Sequence, residues 1–434
     1  MKQTNSHRDL RINVPVLARV EGEGALELDI SQGEIKNLKL RIFEPPRLFE
    51  KFVEGYHHTD LLDMVARICG ICPVAYQMSA VQALEKLFGH TPTPWVSDMR
   101  RVMYCGEWLQ SHSLHIHLLA APDFLGFDNA IAMAKDFPQE VRRGLSLQGL
   151  GNDLMVLFGA RSVHPVGICV GGFYHAPEAE KVAAIRARLQ AALPQAEALV
   201  HWCAGLKFPQ DEQSFISVAL RHPDEYAIYA GDLVSDQGLN VPIEDYAQHF
   251  QEFQSPHSTA LHAALNGQPY LVGPLARLNL NLEQLPDTVR SNLEATGITF
   301  PSKMMFHSIL ARAVELHFIL LEALRLLKDY EVPEQSRQIV EPVAGTATGA
   351  SEAPRGLLWH QYQVDAEGRI QSATIIPPTS QNQARMEQDI ALSLQNYGLE
   401  HTDEQLRLHA EQVIRNYDPC ISCATHFLQL KIRR

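Results

Sequence analysis

With 434 residues, 46% of them hydrophobic and 20% charged, the chain has an ordinary globular composition and enough length for a single large core or about two to three average domains. Its formal net charge of -13 argues against nucleic acid or an anionic membrane as a partner, since both require a basic face. No run approaches the roughly 20 apolar residues of a membrane span, and Met1 to Arg8 lack the apolar core of a signal peptide, so a cytoplasmic protein is expected.

Apolar and polar residues alternate from Val14 to Phe43, with Gln32-Gly33 between two runs, which predicts an N-terminal β-hairpin or small sheet over 14–43. Pro45-Pro46 ends it, and Arg47 to Gly55 reads as a short helix. Val81, Leu84 and Phe88 at helical spacing, followed by Gly89, predict a helix over Val74–Phe88. Further helices are expected over Val96–Ala120 and Pro177–Ala204, the latter kinked or split by Pro194. Mixed short strands and turns make 210–280 a candidate peripheral insertion.

The clearest helix is Ser302–Lys328, whose stripe from Met305 to Leu327 would span roughly 40 Å as bundle core. A second hairpin is predicted over Trp359–Ile376, turned at Glu367-Gly368. The last helix opens with the capping-box pattern Thr402-Asp403-Glu404-Gln405. No Gly/Ser linker, repeat or low-complexity tract interrupts the chain. These features predict one domain over 1–434, mainly α with small peripheral β-sheets (α+β) around a helical bundle core.

Two Cys-x-x-Cys pairs, Cys69/Cys72 and Cys420/Cys423, lie near opposite ends. Each two-residue gap lets both sulfurs face one ion, so the fold must bring the ends together around a metal. On spacing alone this suits a structural zinc as well as a catalytic metal. The first pair leads into a helix N-terminus, where backbone N–H groups favour thiolate. The remaining Cys105, Cys169 and Cys203 sit singly in apolar surroundings and read as buried core thiols. An odd count of seven in a chain without a secretory mark makes a disulfide framework unexpected.

The flanking residues, Arg67-Ile68-Cys69-Gly70-Ile71-Cys72-Pro73 and Asp418-Pro419-Cys420-Ile421-Ser422-Cys423 ending at His426, resemble the large, catalytic subunit of nickel-iron hydrogenases. Cys72 to Ser79 and the Cys-Ile-Ser-Cys-Ala-Thr-His ending look most like the cytoplasmic NAD(P)-linked, sulfhydrogenase-like branch. Splitting H2 needs a redox-active metal and a base within hydrogen-bond reach; zinc lacks the redox half, and nickel among thiolates has it.

The resemblance implies that Cys69, Cys72, Cys420 and Cys423 ligate nickel. Cys72 and Cys423 would also bridge to an iron carrying carbon monoxide and cyanide, and Cys420 would be the first proton acceptor. Glu21, in Arg19-Val20-Glu21-Gly22-Glu23, matches the proton-relay glutamate; alone it would read as a solvated strand-edge charge. Arg355, in Glu352-Ala353-Pro354-Arg355-Gly356, matches the arginine over the bimetallic site, and Thr379 after Pro378 would help hold a cyanide.

Asp123 and Asp418 look like the two aspartates that pair with or orient the arginine. His115 and His164 match family positions, though a histidine on an apolar helix is more often a satisfied core residue. Glu50, His426 and a main-chain carbonyl near Ile375 correspond to ligands of magnesium, or of iron in its place.

Where many members carry a histidine four residues after the second cysteine, this chain has Tyr76, which fits a rearranged electron exit. The family's C-terminal tail is removed by a maturation endopeptidase after nickel insertion; here Phe427 to Arg434 follow His426. With no further cluster motif, electrons would pass to an iron-sulfur small subunit and onward to flavin-bearing, NAD(P)-binding diaphorase-type subunits. Rival expectations are an H2-sensing regulatory subunit, a zinc-stapled structural subunit, and a scaffold like the related subunit of respiratory complex I, whose members lack the four cysteines.

Overall fold

Three antiparallel strands, Leu10–Val14 (β1), Gly24–Ser31 (β2) and Glu34–Ile42 (β3), form the N-terminal sheet of the computed structural model, which describes residues 9–425. The predicted hairpin is β2–β3, and β1 adds a strand to it. Gln32 and Gly33 both take positive φ, 54° and 77°, as the tight hairpin turn requires. Alternation buries Leu26, Leu28, Ile30, Leu40 and Ile42 on one face.

The predicted helix near Arg47–Gly55 is a single turn, Phe49–Phe52. The main helices are Pro73–Leu87 (α1), Pro94–Leu114 (α2), Pro138–Gly159 (α3), Ala179–Ala204 (α4), His307–Leu326 (α5), Pro378–Tyr397 (α6) and Asp403–Tyr417 (α7). Four of them carry proline in the first turn, where its missing N–H costs no helical bond. α2 continues into a π-helical turn, His115–Ala120. α4 runs through Pro194 without being split. α7 opens with the predicted capping box, Thr402 and Gln405 bonding reciprocally.

α5 starts at His307 rather than Ser302, so its 20 residues span about 30 Å, and it is buried on nearly every face rather than along one stripe. α3 and α6 were not predicted. In α3 the glycines weaken the helical signal, yet a Cβ at Gly151 would stand 2.5 Å from the Gln110 N and 2.6 Å from the Gly106 O, so glycine is what lets α3 lie against α2.

Segment 210–280, expected as a peripheral insertion, carries Phe250–Gln254 (β4) and Leu261–Leu265 (β5). It contributes buried residues such as Val218, Leu220, Tyr246 and Tyr270 to a core shared with Leu357, Trp359 and Ile376. Those three belong to a sheet of Gly345–Ala353 (β6), Gly356–Val364 (β7) and Ile370–Ile376 (β8). The predicted second hairpin is β7–β8; β6, poor in large β-formers, packs on α1 through Gly349, where a Cβ would meet the Ser79 O at 2.1 Å. The largest core lies among α1 to α5, and another joins the N-terminal sheet to α6 and α7.

Candidate metal centre

Cys69 and Cys72 flank the entry to α1, with Cys72 as its N-cap residue and Pro73 at its first position. Cys420 and Cys423 occupy the turn after α7. All four sulfurs lie within 4.8 Å of one another, and the cysteines are buried. Sulfur separations are 2.7 and 2.6 Å within the pairs and 3.5 Å (Cys69–Cys420) and 3.9 Å (Cys72–Cys423) across them. The cross-pair values bracket the about 3.8 Å edge of a tetrahedral thiolate set with bonds of about 2.3 Å. The N–H groups of Ile71 and Cys72 donate to the Cys69 Sγ at 3.3 and 3.1 Å.

Burial opposes charge on Cys69, but hydrogen bonds from Cys420, Cys423 and Cys72 and the Arg355 charge outweigh it and hold this thiol well below the usual value. Burial, reinforced by the neighbouring sulfurs, pushes Cys72 and Cys420 well above it. A divalent cation bound among these sulfurs would favour the thiolate form of all four.

Residues outside the thiol motifs fix this geometry. The Arg47 Nη2 donates to the Ile68 O at 2.6 Å and also to the Ser422 O, bonding both Cys-x-x-Cys segments with one guanidinium. Glu107, fully buried on α2, accepts the N–H groups of Val74 (2.6 Å) and Ala75 (3.1 Å) at the α1 N-terminus, and burial lifts its carboxyl well above the usual range. Neither role was predicted: Glu107 lies in an apolar helix with no local motif, and its partners are 32 and 33 residues away.

Arg355, 3% exposed, follows β6. Its Nε donates to the Asp418 O at 2.6 Å and its Nη2 to the Asp418 Oδ1 at 2.9 Å, while its Nη1 is buried without a partner. Burial works against its charge, but Asp418 and the sulfurs of Cys420, Cys72 and Cys69 hold it firmly protonated. Asp418 itself sits at φ 55°, a left-handed conformation that aspartate tolerates better than most residues.

A buried ion-pair network holds the strand that delivers Arg355. Arg277 bonds Glu315 with two nitrogens (2.8 Å each), Glu352 at 3.1 Å, and the carbonyls of Ala353 (2.7 Å) and Pro354 (3.0 Å). Thr379, in the first turn of α6 rather than an isolated Pro-Thr turn, accepts the Cys420 N–H on its Oγ1 at 3.0 Å, after Pro378 at the helix start.

Glu21 lies against the second thiol pair. Its main-chain O accepts the Ile421 N–H at 3.0 Å, its Oε2 accepts the Ser422 N–H at 3.1 Å, and Glu21 and Cys420 form a parallel β-bridge. Gly22 makes the approach feasible: at φ 87° a Cβ there would be 2.6 Å from the Ile421 Cβ. Glu23 is exposed.

Asp123 is not a partner of Arg355. It pairs instead with Arg19 and with the Nε and Nη2 of Arg415 (2.7 and 2.9 Å), and so secures the loop that carries Glu21. Of the two aspartates expected around the arginine, only Asp418 touches it.

The Glu50 Oε1 accepts the Ile375 N–H at 2.7 Å, which brings together two of the three residues expected around a hard cation. His426 lies outside the described residues. Glu252, missed in the sequence, is near enough to feel the Glu50 charge; burial first, and that charge second, push its carboxyl up to about 8.

His115 bonds the Arg415 O at 2.8 Å and is held neutral, its pKa lowered to about 3 by burial and Arg312. His164 bonds the Ala66 O at 2.8 Å. Both thus contact backbone at the edges of the thiol segments. The Tyr76 OH is buried without a partner, its ring 5.5 Å from that of His360. Cys105, Cys169 and Cys203 are buried, free thiols, as expected.

The nickel-dependent hydrogenase family matches residues 47–150 and 235–426, which contain both thiol pairs. The chain belongs to this family. Sulfhydrogenase 1 subunit alpha of Pyrococcus furiosus is 33% identical over 425 residues, covering 97% of this chain and 99% of that protein. The beta subunit of the NAD-reducing hydrogenase HoxS of Cupriavidus necator is 26% identical, covering 96% and 95%. A crystal structure of an NAD+-reducing nickel-iron hydrogenase in the H2-reduced state has a TM-score of 0.87 at 26% identity, over 96% of this chain and 99% of that one.

This hydrogenase chain is therefore the catalytic large subunit of an oxidoreductase acting on H2, mainly α with small sheets, and nickel and iron suit its four thiols. Its relatives are named as subunits, in keeping with a partner small subunit. Among the described residues no helix is long and apolar enough to cross a membrane.

Proposed function

We propose that this hydrogenase subunit interconverts H2 with protons and electrons in an NAD(P)-linked cytoplasmic complex, and that protons travel between Cys420 and Glu21. In this reading Cys69, Cys72, Cys420 and Cys423 would hold nickel, and Cys72 and Cys423 would also serve an iron carrying carbon monoxide and cyanide. When bound, the metal pair supplies the redox centre at which H2 is split or formed. The four buried sulfurs within 4.8 Å fit such a pair, and the unpartnered Arg355 Nη1 is a donor suited to a small anionic ligand.

The chain's own residues then have distinct tasks. Cys420 accepts the proton on its sulfur while its N–H is anchored on Thr379. Glu21 receives that proton, and the observation that carries the reading is its double attachment, through backbone and carboxylate, to the Cys420-Ile421-Ser422 segment. Arg355, fixed by Asp418, would hold the diatomic ligands together with Pro378 and Thr379. Glu50, the Ile375 carbonyl and His426 would hold magnesium, or iron, and tie the C-terminus down. Electrons leave through an iron-sulfur small subunit towards diaphorase-type subunits, since the metal-ligand groups among the described residues include no second thiol cluster.

Glu21→Gln in the anaerobically purified complex tests the proton route. The variant should retain nickel and iron but lose H/D exchange with solvent by about 100-fold or more; normal exchange would remove Glu21 from the route. The NAD(P) link is tested on the whole complex, which should reduce NAD or NADP under H2.

A further inference from the structure

A second group of metal-ligand side chains lies outside the thiol site: His257, His262 and Glu387, with one ligand atom of each within 4.8 Å of the others. His257 is in the loop between β4 and β5, His262 on β5, and Glu387 in the middle of α6. The His257 Nε2 is 2.6 Å from the Glu387 Oε1, and the His262 Nε2 is 3.5 Å from the Glu387 Oε2.

Two features separate this trio from an ordinary hydrogen-bonded cluster. His262 is 2% exposed, yet its Nδ1 has no hydrogen-bond partner and its Nε2 meets only the Glu387 Oε2, at 3.5 Å, an arrangement whose cost is offset if a metal bonds the Nε2. The His257 Nδ1 is bonded to the Ser255 Oγ at 2.9 Å and the Glu387 Oε1 accepts the Leu40 N–H at 2.9 Å. Outer partners of this kind fix the tautomer and aim of metal ligands.

We propose that His257, His262 and Glu387 bind a zinc ion, with water in the fourth position. Two imidazoles and a carboxylate form a donor set that zinc accepts. Zinc–ligand bonds of about 2.0–2.1 Å place ligand atoms about 3.3 Å apart; the His262–Glu387 separation of 3.5 Å is close to that, and the His257–Glu387 separation of 2.6 Å, made to the other carboxylate oxygen, would have to lengthen. Water has access because the His257 and Glu387 side chains remain 18% and 20% exposed.

The ion would join three elements that bear on the active site from outside. The 255–260 loop is docked on the end of β3 by the Thr259 N–H to the Ile42 O (2.8 Å), and on the residues that follow it by the Thr259 Oγ1 to the Glu44 O (2.9 Å). Glu387 is two turns along α6 from Thr379, which holds the Cys420 N–H. Zinc would therefore staple the N-terminal sheet and β5 to the helix that positions Cys420.

The test is zinc content of the complex purified anaerobically after growth with zinc and dialysed against EDTA, for wild type, His262→Phe and His257→Gln. Wild type should hold about one zinc per chain beside its nickel, and both variants should lose the zinc while keeping the nickel. His257→Gln, at the more exposed ligand, covers the case in which the buried His262→Phe variant misfolds. Cobalt(II) exchanged into the site should give a spectrum without the intense sulfur-to-metal band that the four-thiol site would produce. A wild type that neither contains zinc nor takes up added Zn²⁺, zinc retained in both variants, or a thiolate-type cobalt spectrum would overturn the proposal.

Discussion

Arg355 concentrates the chemistry of the site in one side chain: a charge kept by Asp418 and the sulfurs, two donors committed to Asp418, and a third left unpartnered. Arg355→Lys keeps the charge but loses the planar fork. It should retain nickel and lower H2 turnover by about 100-fold or more, the scale of removing one preorganised donor, as metal analysis and an H2-uptake assay on one sample will check; wild-type turnover would remove Arg355 from the machinery.

The position of this arginine was legible only through the family resemblance of Glu352-Ala353-Pro354-Arg355-Gly356, since alone it reads as a surface charge, and its partner Asp418 only through the resemblance around Pro419. Asp123 was misread because its real partners, Arg19 and Arg415, lie 104 and 292 residues away, and no local spacing encodes such pairings. Glu107 and Arg47 were missed for the same reason: each acts on a backbone group that only the fold brings near.

At the scale of elements, the helix that matters most beyond the thiol turns is α6, which Pro377-Pro378 disguised as a turn. It carries Asp389, whose carboxyl is pushed up to about 7, first by burial and further by the nearby Asp211. An acid with a raised folded-state value keeps its proton while the unfolded chain has already lost it. Stability should therefore fall as pH rises from about 4 to about 7, by up to about 1.4 kcal/mol per pH unit, with the penalty complete above the folded value. Asp389→Asn removes this term. Its melting temperature should exceed that of wild type at about pH 8 and differ little at about pH 4; a parallel pH dependence in the two proteins would show that Asp389 is not the cause.

The strand end before Arg355 depends likewise on Arg277. Removing that cation by Arg277→Gln leaves the buried Glu315 and Glu352 without their shared partner, a loss on the order of 3–5 kcal/mol. Denaturant unfolding should show it as a lower midpoint. The same close packing reads in Gly273, where a Cβ would stand 2.8 Å from the Arg355 O and φ is 114°. Neither constraint has a local signature, whereas the Thr402-Gln405 capping box and the Gln32-Gly33 turn were legible because their physics is contained within a few residues.

Across the whole molecule, the chain closes on itself. Cysteines 351 residues apart stand 3.5 Å from each other, Arg47 bonds both thiol segments, and Glu21 near the start pairs with Cys420 near the end. That closure was legible from the two Cys-x-x-Cys pairs alone, since four thiolates sharing one ion force it. The integration of 210–280 with the β6–β8 sheet was not, because short strands declare their burial only through the distant surfaces they meet. Closure also couples metal binding to folding: nickel held by both ends should stabilise the chain against unfolding.

The most direct test is the nickel content of the anaerobically purified, mature complex for wild type, Cys69→Ser and Cys420→Ser, one variant from each end. About one nickel per chain in wild type and none in either variant is the predicted result, because four thiolates from both ends are needed to hold the ion. Full nickel in either variant, or an active wild type without nickel, would contradict the account.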